Sequence, residues 1–138
     1  MKQDRLNTSA GKPILIIDSF EFTKTVSLNS NVFSIGRHPQ CSLVINDPLI
    51  SRHHATIVWL REEGKSEKYA HWIIDGKGQK HRSKNGILVN GQKTFLHRLC
   101  PQDVVTFIVN SGNHTSITYS LVTDTTENSQ ISQIVYYL

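Results

Sequence analysis

The chain has 138 residues, enough for one domain with a single core. Fifteen lysines and arginines against 11 acidic residues give a net charge of +4 and a pI of about 9.2, which suits an anionic partner: nucleic acid, lipid headgroups or phosphorylated protein. No apolar run reaches the length of a membrane span and the opening MKQDRLNTSAGK lacks a signal-peptide core, so a cytoplasmic protein without membrane association is expected.

Residues 1–12 are polar and are expected to form a disordered arm. Short strand-like runs follow in chain order: PILIID (13–18), VFSI (32–35), SLVI (42–45) and HATIVWL (54–60), then YAHWIID (69–75), GILVN (86–90), DVVTFIV (103–109) and SITYSLV (116–122). They are rich in β-branched and aromatic residues, and turn formers such as NSN, HPQ and NDP separate them. In HATIVWL, alternation puts Ala55, Ile57 and Trp59 on one face and His54, Thr56, Val58 and Leu60 on the other. Asn90-Gly91, inside VNGQKT, is a strong hairpin signal. Strands every ten residues or so predict an all-β antiparallel sandwich over 13–123. The tail 124–138 places Ile131, Ile134, Val135 and Leu138 at helical spacing, yet QIVYYL equally suits an edge strand. Cys41 and Cys100 are isolated and are expected to be reduced, half-buried thiols.

The run SRHH (51–54) admits several chemistries. Catalysis fits poorly, because residues three apart on a strand face opposite ways, which keeps Ser51 from His54 unless Ser51 lies in the loop before the strand. Nor is there a GxSxG elbow. Zinc would draw on His38, Cys41 and His53 or His54, but only the first two have short ligand spacing, and no metal or cofactor is expected. His71, His81, His97 and His114 read as scattered surface or half-buried rings. An anion grip fits better. Gly36 ends a strand and Arg37 follows it, Ser51 and Arg52 lie in a second loop, and Ser83, Lys84 and Asn85 lie in a third. A guanidinium fork, hydroxyls, an ammonium and an amide suit a phosphate dianion.

Gly36-Arg37, SRHHA (51–55) and SKNGILVNG (83–91), in this order and with strand runs between them, resemble a forkhead-associated (FHA) domain. The likeness covers about 13–122. It implies a sandwich of about eleven strands that binds a phosphothreonine peptide through loops at one end. In that reading Arg37 and Ser51 contact the phosphate, and Asn85 holds the peptide backbone. His54 packs under the loops, while Gly36, Gly86, Asn90 and Gly91 support the framework.

Lys84 stands where the family often has threonine, and it either reaches the phosphate or points to solvent. Arg52 either contacts peptide backbone or reaches an acidic flanking side chain. GKGQKHR (76–82) is a longer, basic connection than the family commonly has, either a solvated loop or a second anionic contact. The expected role is a phosphothreonine-dependent adaptor in a Ser/Thr kinase pathway, without catalysis. Phosphorylation-independent scaffolding is the alternative, and a nucleic-acid module fits less well because the basic loops lack an aromatic stacking stripe. Phosphorylation of Thr8, Thr125 or Thr126 would allow self-recognition.

Overall fold

The computed structural model describes residues 11–62, 68–108 and 115–123. The arm up to residue 10 lies outside these residues, as do His114, the tail 124–138 with its helix-or-strand alternative, and the three threonines of the self-recognition idea. The described residues form eleven strands: β1 (Lys12–Ser19), β2 (Thr23–Ser27), β3 (Val32–Gly36), β4 (Leu43–Val44), β5 (Ala55–Arg61), β6 (Tyr69–Asp75), β7 (Ile87–Val89), β8 (Gln92–Thr94), β9 (Leu96–Arg98), β10 (Val104–Phe107) and β11 (Thr115–Val122). They form two sheets, ordered β2-β1-β11-β10-β7-β8 and β4-β3-β5-β6-β9.

This is the predicted all-β sandwich, with local differences. Lys12 pairs with Val122, so strand structure begins inside the segment expected to be a disordered arm. β3 and β4 run parallel, the exception to an otherwise antiparallel pattern among the described pairs. β2 and β9 escape the sequence pattern because they carry little apolar character: TKTVS and LHR contain few residues that a core would claim. The Asn90-Gly91 hairpin forms as expected. Both residues have positive φ, 51° and 85°, the conformation that a tight two-residue turn between β7 and β8 requires.

Alternation places the core. Leu15, Ile17, Ile35, Ile57, Ile73, Ile87, Val105, Phe107 and Ile117 are buried between the sheets, each contributing about 1.5–3 kcal/mol through burial. Ala55, Ile57 and Trp59 of β5 share one face, as predicted, and that face is buried. His54 is not on the opposite face with Thr56: it precedes the strand, and its ring is fully buried against the Phe107 edge. Cys41 and Cys100 are free thiols, one buried and one exposed, where both were expected to be half-buried.

His71 differs most from its expectation as a surface or half-buried ring. It is buried, with its ring centroid 4.5 Å from that of Trp59 and 5.6 Å from that of Tyr119. Its Nδ1 lies 3.0 Å from the Tyr119 hydroxyl. The alternating pattern of YAHWIID puts His71 on the inward face with Ile73, and tertiary packing completes the cluster. Burial holds its pKa down at about 4. The folded state therefore binds fewer protons than the unfolded chain between the ordinary histidine value, about 6.5, and 4. Stability from this ring is complete above that window and is lost as pH falls through it. Chemical denaturation should show a loss on the order of 1–3 kcal/mol between pH 7 and pH 4.5. His71→Phe should flatten that slope; an unchanged slope would show that His71 does not drive it.

Candidate functional site

Three loops meet at one end of the sandwich, and Ser51 joins them. Its carbonyl accepts from the Arg37 N–H at 3.0 Å, tying it to the loop that follows β3. Its Oγ accepts from the Lys84 N–H at 2.9 Å, tying it to the loop before β7. Its own N–H donates to His54 Nδ1 at 2.9 Å. Because Oγ acts as an acceptor here, the hydroxyl proton stays available for an incoming anion.

Those bonds fix the state of His54. Nδ1 accepts a proton donor, and Nε2 lies 2.8 Å from the Gly86 carbonyl, which can only accept. The ring is therefore the neutral Nε2–H tautomer. Burial lowers its pKa despite the opposing effects of the Gly86 carbonyl and Asp75. Ser51 lies in the loop before β5, as does His54, so the strand argument for their separation does not apply. They meet through the Ser51 backbone, however, and Nδ1 is engaged there instead of serving as a base for the hydroxyl.

Arg37 is exposed, and its Nε donates to the Ile50 carbonyl at 3.0 Å. That bond anchors the base of the guanidinium and leaves both Nη groups for a ligand. Beside it, Asn85 Nδ2 donates to the Leu49 carbonyl at 2.8 Å, which joins the third loop to the second a second time. Asp47 shapes the approach: its carboxylate accepts from the Leu49 N–H at 2.9 Å. Arg52 and Lys84 carry exposed side chains on the same rim.

Ser83 sits differently. It is buried, its hydroxyl donates to the Asp75 carboxylate, and its Oγ accepts from the Gly86 N–H at 2.8 Å. Asp75, which no sequence motif marks, thus holds the Ser83 turn from the end of β6. Asn90 and Gly91 lie at the far end of β7 from Gly86, where the Asn90 amide bridges Asp103 and Val104. The long GKGQKHR connection folds on itself through a short 3-10 turn at Gln79–His81, and Lys77 N–H bonds to the His81 carbonyl at 2.9 Å. Arg82 turns away onto the Phe95 ring, 4.4 Å from its centroid.

Gly36 is required by close approach. A Cβ there would lie 2.2 Å from the Arg52 carbonyl oxygen, a backbone atom that cannot swing aside. That carbonyl also accepts from the His38 N–H at 3.1 Å and from the Cys41 thiol at 3.3 Å.

With this geometry in place, comparison with known proteins identifies the family. The model of the FHA domain matches residues 33–108, more than half of the chain. The chain belongs to the FHA family. It is 40% identical over 91 residues to the Synechocystis protein sll1895, a stretch covering 66% of this chain and 13% of that much longer protein. The crystal structure of the Slr1951 protein from Synechocystis shares 29% identity and superposes with a TM-score of 0.65, covering 80% of this chain and 99% of its own. An FHA domain solved in a study of phosphothreonine-dependent FHA interactions superposes with a TM-score of 0.59 at 22% identity, covering 80% of this chain and 97% of that one. The latter shares the FHA fold with this chain.

Two substitutions test the loop framework. Gly36→Ala should cost about 1–3 kcal/mol of unfolding free energy by overpacking against Arg52. His54→Ala should cost on the order of 2–5 kcal/mol, since it opens a cavity and leaves the Ser51 N–H and Gly86 carbonyl without their partner. Equilibrium denaturation measures both, and wild-type stability in either would contradict the packing described.

Proposed function

We propose that this FHA domain is a phosphothreonine-binding adaptor of a Ser/Thr kinase pathway in the cytoplasm, a module that captures a phosphorylated protein without catalysing a reaction. The observation that carries the reading is the shared anchoring of Arg37 and Ser51, one with free Nη donors and the other with a free hydroxyl proton, through adjacent backbone bonds. A phosphate monoester offers nearly two negative charges and three strong acceptors, which suits that donor set better than a carboxylate does. Lys84 adds a cation on the rim, Arg52 a second, and Asn85, held at Leu49, an amide for peptide backbone. Ser83 serves the site from beneath by shaping the turn that carries Lys84 and Asn85. Preference for phosphothreonine over phosphoserine rests on family membership alone.

Arg37→Ala should weaken binding of a phosphothreonine peptide at least about a hundred-fold, since charge-assisted bonds contribute about 1.5–3 kcal/mol each. Its unfolding midpoint should stay near that of the wild type, because the guanidinium is exposed. Calorimetric titration of both proteins with phosphorylated and unphosphorylated peptides provides the test. Equal affinity in the two proteins, or no preference for phosphate, would refute the reading.

A second reading, phosphorylation-independent scaffolding, is favoured by the outer face of the β4-β3-β5-β6-β9 sheet. Val32, Leu60 and Leu96 are 55%, 46% and 48% exposed there, and register places Val58 and Trp72 between Val32 and Arg98. A Leu60→Glu, Leu96→Glu double variant should leave phosphopeptide affinity unchanged. If it alone abolished capture of a cellular partner, scaffolding would be the better description.

A further inference from the structure

Beyond the Arg37 and Ser51 phosphate contacts proposed above, basic side chains, Arg52 among them, gather over the end of the β4-β3-β5-β6-β9 sheet. β3, β5 and β6 lie side by side there, with the end of β3, the start of β5 and the end of β6 on one rim. Just past these ends come His38, then Arg52 with His53, then Lys77. The backbone holds the segments together: His38 N–H bonds to the Arg52 carbonyl at 3.1 Å, and Gly76 N–H to the His54 carbonyl at 2.8 Å. His38 and His53 stack with centroids 5.3 Å apart and planes 22° from parallel. The Gln40 N–H donates to His38 Nδ1 at 3.0 Å, so the ring proton of His38 sits on Nε2, away from that loop.

Burial, then Lys77, His38 and Arg52, lower the His53 pKa, so each of these three lies within electrostatic reach of His53 and its neutral form is favoured. From Gly76 to Arg98 the sequence carries Lys77, Lys80, Arg82, Lys84, Lys93 and Arg98 and no aspartate or glutamate, while Asp47, in the loop before Arg52, is engaged by the Leu49 N–H. Asp75, just before this stretch, is buried and bonded to Ser83. Arg52 and Lys77 thus bring two cations to the stacked His38 and His53 rings, and His38 Nε2–H adds a donor that an anion can accept.

We propose that the rim formed by His38, Arg52, His53 and Lys77 is a second anion subsite, taking a phosphoryl or carboxylate group carried by the same peptide whose phosphothreonine meets Arg37. The inference rests on the phosphopeptide reading and adds to it a substrate class: peptides with two anionic groups. The basic GKGQKHR connection then selects ligand. Its folded turn brings Lys77 to the rim, while Arg82 is taken up by Phe95.

The test uses the whole chain and fluorescent phosphothreonine peptides in which phosphoserine, glutamate or alanine occupies each flanking position in turn. At one position a second anion should tighten binding about five-fold, the scale of an exposed ion pair. A larger gain from phosphoserine than from glutamate would assign the subsite to phosphate, and equal gains would assign it to acidic residues. The Lys77→Gln, His53→Gln double variant should remove the gain and hold the singly phosphorylated peptide within two-fold of wild type. The subsite is refuted if singly phosphorylated peptide binds but no position improves on it, or if the gain survives in the double variant. Wild type that binds none of the peptides would instead overturn the phosphopeptide reading itself, and the subsite with it.

Discussion

Every polar group of Ser51 is tied to a different neighbour. Its N–H goes to His54, its carbonyl to the Arg37 N–H and its Oγ to the Lys84 N–H. One residue therefore fixes three loops with respect to one another, and in the proposed reading its hydroxyl proton is left to donate to the ligand. Without these bonds the loops would each have to be ordered by ligand, at about 0.5–1.5 kcal/mol for every side chain immobilised. A preset rim keeps more of the charge-assisted interaction as affinity.

The support for Ser51 runs inward. His54 is neutral, buried, and bonded on both ring nitrogens, so it transmits the position of the Gly86 turn to the Ser51 backbone. Gly36 admits the Arg52 carbonyl where any side chain would push it out. Asp75 and Ser83 do the same work on the opposite loop from beneath. Buried polar groups of this sort are costly when left half-satisfied, which explains why the framework under the site is more fully bonded than the exposed residues above it.

The sequence made much of this readable, for physical reasons. Alternation in HATIVWL and YAHWIID marks faces directly, because the strand period is two, and Asn90-Gly91 announces its turn through the positive φ both residues tolerate. Arg37, Ser51 with Arg52, and Ser83 to Asn85 read from sequence as a donor set suited to phosphate, on three loops that the fold brings to one end. The inward turn of His54 was not derivable from alternation, since it lies one residue before β5. Family resemblance supplied its structural role instead. Ser83 looked like a ligand contact, and nothing in SKN indicates that its hydroxyl turns towards Asp75, eight residues earlier and on another element. β2 and β9 were silent because edge-like strands bury little. The stacking of His38 on His53 joins two loops whose separation in sequence gives no hint of contact.

The most direct test of the central claim is amide and arginine side-chain NMR during titration with a phosphothreonine peptide. The account predicts that the largest shifts fall on Ser51, Lys84 and Asn85 and on the Arg37 guanidinium, together and with one affinity. Shifts confined instead to the outer sheet face around Leu60 and Leu96, with Arg37 and Ser51 unmoved, would contradict it.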